Sequence, residues 1–171
     1  ALVIAFKRIT STPQGKYKYH KLLLKIPSFG VIILKVNVAR FARTFSSLLS
    51  SGVTVIDALD VTSKALTNTV IQKGLQDAID GIKNGSNIAD ALGESDVLPA
   101  IIIQMTAVGE ETGKLGEVLD KVAEFYEEEV NQVTGSIASI IEPLLIVGLG
   151  GIVCLIVLSV LGPIMSIQGS V

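Results

Sequence analysis

The sequence has a single cysteine and a single histidine, and no Asp, Glu, Lys, Arg or His from residue 143 to its end. Cys154 lies inside an apolar run, so no disulfide framework can form. His20 has no Cys, Asp or Glu near it in sequence to complete a metal site or a catalytic pair, and we expect a solvated residue. Because the chain has no Ser/His/Asp, Cys/His or metal-ligand set, the sequence predicts neither an enzyme nor a bound cofactor or metal.

The uncharged C-terminal stretch is long enough to cross a bilayer. At ~1.5 Å per residue, residues 144–167 would reach about 36 Å as a helix, against a hydrocarbon core of ~30 Å. The alternative is a helix buried on every side in a soluble protein, which a domain of this size rarely accommodates. We therefore predict a C-terminal transmembrane helix and short tail over residues 136–171.

The composition indicates one soluble domain joined to a membrane segment. Hydrophobic residues make up 49% of the chain and the mean hydropathy is +0.60, which is high for a soluble domain and low for a protein with many spans. The net charge is -2, and the Lys and Arg residues do not cluster around aromatic side chains. The sequence gives no indication of nucleic-acid binding.

The first six residues are apolar, and the basic residues Lys7 and Arg8 follow them directly. A signal peptide would carry its basic residues before the apolar stretch, so we predict that residues 1–6 are the end of a preceding transmembrane helix. Residues 7–34 contain further lysines, prolines and glycines, which indicate a basic juxtamembrane linker. By the positive-inside rule this flank is cytoplasmic, and residues 168–171 lie outside.

Residues 35–135 are predicted to form an all-α domain, an antiparallel helical bundle of about six helices with short connections. Apolar residues recur at helical spacing, as in Val38, Phe41 and Phe45 of the first helix. Capping and turn residues separate the segments. The expected helices run from 31 or 35 to 50, from Thr54 as N-cap, from 68 to 83, from 86 or 87 to 92, from 100 to 110, and from 114 or 115 onward.

A phosphate-binding loop is suggested by the stretch GEETGKL at residues 109–115. Such a loop needs four residues between its glycines and a Ser or Thr after its lysine. Here three residues intervene and Leu115 follows the lysine, so the loop is excluded. The stretch instead predicts a corner between two helices, with Gly113 supplying an unusual backbone conformation.

Two glutamates in that corner, Glu110 and Glu111, come just before the positive end of the next helix. They could also bind a cation, or pair with Arg40 or Arg43 on the first helix. From the spacing alone we favour structural pairing over a metal site.

The last helix of the bundle has an acidic face that includes Glu124, Glu127 and Glu128. Such a face is usually a solvated surface. Because like charges at i, i+4 cost stability unless something offsets them, we also consider a docking face for a basic cytoplasmic partner.

Glu142 and Pro143 lie where this helix meets the predicted span. An ionisable group is costly at the bilayer centre and cheaper near its interface, and a proline inside a helix removes one backbone donor and can kink or restart the helix. Gly148, Gly150 and Gly151 follow, and they leave a thin helix face that favours close packing of another helix.

Four segments carry a resemblance to a known family. They are LLLKIPSFG (22–30), ARFARTFSSLLSSGVTVIDALD (39–60), MTAVGEETGKLGEVLDKVAEFYEEEV (105–130) and IEPLLIVGLGGIVCLIVLSVLGPIMS (141–166). In this order and spacing, the sequence from Leu22 onward resembles the C-terminal repeat of the general secretion pathway protein F or pilus assembly protein PilC family. These are the inner-membrane platform proteins of type II secretion and type IV pilus systems.

The resemblance implies a multi-pass protein of the bacterial inner membrane, about twice this length, with two helical cytoplasmic domains. It implies a homo-oligomeric, non-enzymatic platform that couples a cytoplasmic assembly ATPase to insertion or extraction of pilins or pseudopilins, beside other inner-membrane assembly proteins. It also implies fold or assembly roles at the positions matching the family's SGV, GExTGxL and EP motifs: Gly52, Gly109, Glu110, Thr112, Gly113, Leu115, Glu142 and Pro143.

Two other functions are less well supported. A transporter subunit would need an ionisable residue near the middle of the span, and none follows Glu142. A small membrane-anchored adaptor, complete at this length, is disfavoured by the missing initiator Met and by the apolar stub that starts at Ala1.

Overall fold

The structure, a computed structural model, describes residues 12–27 and 29–168, with the side chains beyond Gly135 described only in part. In these ranges the chain is helical and no strand is assigned. The predicted all-α helical bundle is confirmed. Its helices are α1 (Pro13–Lys25), α2 (Phe29–Ser50), α3 (Val55–Ala65), α4 (Thr69–Lys83), α5 (Ile88–Glu94), α6 (Ala100–Thr112) and α7 (Leu115–Gln168).

The starts of α3 and α4 follow from capping residues in the sequence. The Thr54 hydroxyl accepts a hydrogen bond from the Asp57 N–H at 3.3 Å and donates one to the Asp57 carboxylate at 2.7 Å. The Asn68 side-chain oxygen accepts from the N–H groups of Val70 and Ile71 at 2.9 and 3.4 Å. Because the first N–H groups of a helix have no acceptor within it, these side chains fix where each helix begins. The predicted N-cap role of Thr54 is confirmed.

The core is built on the apolar stripe of α2. Phe41 and Phe45 are fully buried, and their ring centroids lie 5.5 Å apart. Buried side chains from the other helices complete one cluster around them, among them Leu59, Leu75, Ile79, Leu92, Ile102 and Leu119. Burial of this apolar area is the main source of stability. Each helix from α2 to the start of α7 contributes side chains to this cluster, so the cluster holds these helices together.

A buried amide joins α2 to the connection between α3 and α4. Asn37 is 2% exposed. Its side-chain oxygen accepts from the Thr67 N–H at 3.1 Å, the Thr67 hydroxyl at 3.2 Å and the Asn68 N–H at 3.2 Å. Its side-chain nitrogen donates to the Ile33 carbonyl at 2.8 Å. A short, irregular segment therefore has its backbone donors satisfied by a side chain, as burial requires.

Residues 13–25 form part of the bundle and not the linker that the sequence predicted. Pro13 stands at the first position of α1, where its missing N–H costs nothing, and the Thr12 hydroxyl accepts from the Gly15 N–H at 3.3 Å. Helix α1 contacts both α2 and α4. Residues 1–11, including the predicted end of a preceding membrane helix, lie outside the described residues.

The chain divides into two compact units between Val130 and Asn131. The first unit contains α1 to α6 and the first part of α7, and the second contains the rest of α7. The division lies close to the boundary predicted between residues 135 and 136. The helix is assigned without a break through Pro143.

Within the described part of the chain, no single helix is both long and apolar enough to qualify as a membrane span. By length and composition alone one bent pair does, Gln14–Lys25 with Phe29–Ser50, at an angle of 110°. Most side chains from residue 154 onward lie outside the described ones, so the span over residues 144–167 stays a prediction.

Candidate functional site

The GEETGKL stretch forms the corner between α6 and α7. Gly113 has a φ of +69°, a left-handed conformation that glycine adopts without steric cost. Its N–H donates to the Glu110 carbonyl at 3.3 Å, and the Lys114 N–H donates to the Gly109 carbonyl at 2.9 Å. These are the two hydrogen bonds of a Schellman motif. The predicted helix corner is confirmed, and the stretch ends one helix where the next begins.

Gly109 lets α7 start directly against α6. A Cβ added to Gly109 would lie 2.8 Å from the Leu115 Cα and 3.1 Å from its Cδ1. Leu115 in turn packs against the core. The Thr112 hydroxyl donates to the Val108 carbonyl one turn earlier at 2.7 Å, a local bond that threonine forms within helices. The close approach at Gly109 and the left-handed conformation of Gly113 together define this corner.

Glu110 extends from the corner to a helix distant in sequence. Its carboxylate accepts hydrogen bonds from the N–H groups of Ile88 and Ala89 at 2.9 and 3.1 Å, at the start of α5. Asn87, the N-cap residue of α5, makes no side-chain cap bond, and Glu110 supplies the acceptor instead. A negative charge at this end also complements the helix dipole. The sequence predicted a carboxylate at a helix N-terminus, but the helix is α5 and not α7.

Neither arginine of α2 pairs with the glutamates of the corner, so the predicted pairing of Glu110 or Glu111 with Arg40 or Arg43 is wrong. Arg40 donates to the Ala65 carbonyl at 3.5 Å. Arg43 binds acidic residues of α7 instead. In the described ranges, no three His, Cys, Asp or Glu side chains are grouped as a metal ion would require.

Arg43 forms a forked ion pair between α2 and α7. Its Nε and Nη2 donate to the two Glu127 carboxylate oxygens at 2.8 and 2.7 Å, and its Nη1 donates to Asp120. The bond to Glu127 raises the pKa of Arg43, with the charges of Asp120 and Glu124 adding to it, and the same bond lowers the pKa of Glu127. Since the Arg43 and Glu127 side chains are 38% and 43% exposed, solvent screening limits the stabilisation to about 1 kcal/mol or less.

The SGV turn at Gly52 has the same construction as the GEETGKL corner. Gly52 has a φ of +81°, its N–H donates to the Leu49 carbonyl at 2.9 Å, and the Val53 N–H donates to the Leu48 carbonyl at 3.0 Å. This is a second Schellman motif, and it ends α2 before Thr54 caps α3. Both glycine motifs singled out in the sequence are therefore helix stops.

The three acidic residues predicted as a docking face do not have equal surroundings. Glu127 is held by Arg43, and its neighbour Glu129 by Lys35, with 3.2 Å between Nζ and Oε2. Glu124 and Glu128 are exposed and form no ion pair within 4 Å among the described residues. Of the three predicted residues, Glu124 and Glu128 are therefore the ones whose carboxylates could contact a partner.

An apolar groove lies between α6 and α7. It has a volume of about 410 Å³, and its lining includes Met105 and Val122. Three large apolar side chains remain exposed in it: Ile101 at 41%, Val108 at 47% and Phe125 at 56%. The exposed Lys121 also lines the groove. Glu128 is three residues after Phe125 and borders the groove on α7, whereas Glu124 directly precedes Phe125 and therefore points to a different side of the helix.

The remaining assembly candidates lie in the second unit. The Glu142 side chain falls outside the described ones, and Pro143 is exposed within α7. Gly148, Gly150 and Gly151 are exposed, and a Cβ added to any of them would meet no atom within 4 Å. Packing of another helix on these glycines stays a prediction.

His20 is not the solvated residue that the sequence predicted. Its Nδ1 accepts a hydrogen bond from the Thr69 N–H at 3.0 Å and lies 3.0 Å from the Thr69 hydroxyl. Thr69 is the first residue of α4, so an imidazole of α1 satisfies a free donor of another helix. Burial, with a smaller contribution from the charge of Lys16, lowers the pKa of His20. Nothing in the local sequence pattern could have identified this contact, because its partner is 49 residues away.

The contact between α1 and α4 is expected to weaken as the pH falls below the ordinary histidine value of 6.5. Because the pKa of His20 is lowered in the folded state, its contribution is complete above the unfolded value and is lost as the pH falls through the folded one. Denaturant unfolding should show a loss of about 0.5–1 kcal/mol over this window. His20→Gln keeps an acceptor that does not titrate, and it should unfold without that pH dependence. An equal slope in both proteins would contradict the assignment.

A family model and several known relatives match the chain. The model of the type II secretion system (T2SS), protein F, matches residues 41–163. The type IV pilus assembly protein PilC of Myxococcus xanthus is 39% identical over 171 residues, covering 100% of this chain and 41% of the relative. PilC of Thermus thermophilus is 40% identical over 171 residues, covering 99% and 42%. The type II secretion system protein F of Aeromonas hydrophila is 30% identical over 153 residues, covering 90% and 39%.

The chain therefore carries a helical-bundle domain whose relatives are named for type II secretion and type IV pilus assembly. The chain belongs to the type II secretion system protein F family. This confirms the resemblance seen in the sequence. The chain spans about two fifths of the length of the curated relatives it matches.

Proposed function

We propose that this chain is part of an inner-membrane platform protein that couples a cytoplasmic assembly ATPase to polymerisation of pilins or pseudopilins. Its role is mechanical and not enzymatic. Support comes from the family, whose relatives are named for type IV pilus assembly and type II secretion, and from a bundle whose motif residues build helix corners. ATP hydrolysis by the purified chain would contradict this role.

We place the helical domain in the cytoplasm and the second part of α7 in the membrane. The domain order is the end of a span (1–6), a basic juxtamembrane segment (7–34) that includes the bundle helix α1, the rest of the bundle (35–135) and the last span with its tail (136–171). Supporting this order, no charged residue follows Glu142, while lysines and arginines dominate the first part of the sequence. In a homo-oligomer, Gly148, Gly150 and Gly151 would let neighbouring helices approach closely.

The apolar groove between α6 and α7, with the exposed Glu128 at its border and the exposed Glu124 on the adjoining side of α7, is the observation that best supports a cytoplasmic partner. Large exposed apolar side chains in one groove are typical of interaction surfaces, and a helix with an apolar face fits such a groove. Glu124 and Glu128, beside the groove on α7, would select a partner helix that also has basic residues. The proposed occupant is a basic, amphipathic segment of the assembly ATPase.

Reversing the charge of Glu124 and Glu128 together should weaken copurification of the protein with the assembly ATPase by about tenfold or more. The reason is that replacing two favourable contacts on the surface of α7 beside the groove by like-charge contacts costs on the order of 1.4 kcal/mol or more. The measurement is pull-down of the ATPase from the host that expresses the variant protein, with surface piliation or secretion as a second readout. Phe125→Ala tests the apolar half of the same surface.

Asp77→Lys combined with Glu94→Lys makes a matched control. Both residues are exposed and lie on α4 and α5, away from the groove, so the control makes the same change in net charge. It should leave copurification and assembly unchanged. If the groove variant and the control behave alike, the groove is not the docking surface.

A further inference from the structure

Helix α1 presents one face to the bundle and another, basic face to solvent. On the inner face, His20 binds Thr69 and the Lys73 ammonium lies 5.9 Å from the centre of the Tyr17 ring. Lys18, Lys21 and Lys25 are all exposed, and their spacing of i, i+3 and i+7 places them on one side of a helix. The helix is therefore fixed to the bundle while its lysines remain available.

Exposed apolar side chains lie among and directly after these lysines. Leu22 is 62% exposed, Ile26 40%, Phe29 67% and Val31 54%. Leu22 stands between Lys21 and Lys25 on α1, and the other three lie in the turn after α1 and at the start of α2. Four large apolar groups in so short a stretch are more than the scattered exposure of an ordinary surface.

The charge around this surface has one sign over a long stretch of sequence. The first acidic residue in the chain is Asp57, so neither α1 nor α2 has a carboxylate to neutralise the lysines. One acidic residue, Asp96, lines the same cavity as Val31. A basic helix with an apolar edge and no acids matches an interfacial helix, which inserts apolar groups between lipids and pairs lysines with anionic headgroups.

We propose that α1 and the turn after it form a binding surface for anionic lipid, formed by Lys18, Lys21 and Lys25 with Leu22, Ile26 and Phe29. This inference rests on the proposed location in the inner membrane and extends it from the span to the bundle. Because α1 is joined to α4 through His20, lipid binding fixes the orientation of the bundle at the membrane surface. Long lysine stems suit this position, since they lie along apolar groups while the ammonium reaches the headgroups.

The test uses a single tryptophan, because the sequence contains none. The full chain carrying Phe29→Trp is reconstituted into vesicles whose acyl chains are brominated, with or without phosphatidylglycerol in phosphatidylcholine. Emission from position 29 should be strongly quenched and blue-shifted in the anionic vesicles. Changing Lys18, Lys21 and Lys25 to Gln should remove most of this quenching, since each lysine favours the bound state about fivefold.

A second reporter position distinguishes contact between α1 and lipid from the general closeness of a bundle that is tethered to the vesicle by the span. Val61 is 47% exposed on α3, so Val61→Trp should stay unquenched in both vesicle types. Equal quenching of position 29 in neutral and anionic vesicles, or quenching unaffected by the lysine changes, would overturn the lipid surface. An unquenched position 29 would also overturn it and would point to a protein contact. Alkaline extraction of the same vesicles tests the span independently: release of the chain would refute the proposed membrane location and not only the lipid surface.

Discussion

Gly109→Ala is expected to destabilise the helical domain by about 3 kcal/mol, although it adds a single methyl group. The new Cβ would lie 2.8 Å from the Leu115 Cα and 3.4 Å from the Leu115 N. These are backbone atoms, so no side-chain rotation can relieve the clash. To accommodate the methyl group, α7 must move away from α6, which also strains the Schellman bonds at Gly113 and withdraws Leu115 from the core.

Gly135→Ala is the matched control for this change, since a Cβ there would meet nothing within 4 Å. In an exposed helix position, alanine is more favourable than glycine by up to about 1 kcal/mol, so this variant should be as stable as the parent or more so. The measurement is the midpoint and slope of denaturant unfolding of the full chain in detergent, followed by helical circular dichroism. If Gly109→Ala matched Gly135→Ala, the close approach at this corner would be disproved.

A glycine and a glutamate at fixed positions in a loop are easily taken for a ligand site. Here Glu110 caps α5 and Gly109 admits Leu115, so loss of function on changing either residue would first have to be corrected for loss of folded protein. Changes at Glu124 and Glu128 do not have this difficulty, because both side chains project into solvent.

The features that the sequence predicted well are the local ones. The stripe of Val38, Phe41 and Phe45 indicated a buried helix face because apolar spacing of three and four residues is a property of one helix. The Thr54 cap and the left-handed Gly113 were predictable for the same reason, since each depends on a few neighbouring residues. These elements fix the ends of the helices and the face that each one buries.

The features that the sequence did not predict are contacts between distant segments. The sequence predicted that Arg43 lies on α2. The helix that packs beside Arg43 depends on the packing of the whole bundle, which the local pattern does not give. The partner proved to be α7, through Glu127, and not the Glu110 corner. The error over residues 13–25 has a related cause. Pro13 and Gly15 suggested a linker, yet Pro13 is favourable at a first helical position, and packing against α4 stabilises the rest.

Asn37→Leu is expected to cost about 3 kcal/mol, because it removes the acceptor for two backbone donors at once. The N–H groups of Thr67 and Asn68 both bind the Asn37 side-chain oxygen, and Asn68 is 3% exposed. A buried donor left without an acceptor costs about 1–3 kcal/mol. Leucine has a similar volume, so cavity formation contributes little. The lost anchor also frees the segment that positions the Asn68 cap of α4.

Thr67→Val separates this explanation from a general sensitivity of the region. It removes only the hydroxyl that donates to Asn37 at 3.2 Å, in an exposed residue, and leaves both backbone donors paired. Its expected cost is therefore below about 1 kcal/mol. Denaturant unfolding of both variants gives the two values, and amide hydrogen exchange should rise at residues 67 and 68 in Asn37→Leu alone. Equal costs for the two variants would mean that Asn37 contributes through its volume, and that its hydrogen bonds do not join α2 to α4.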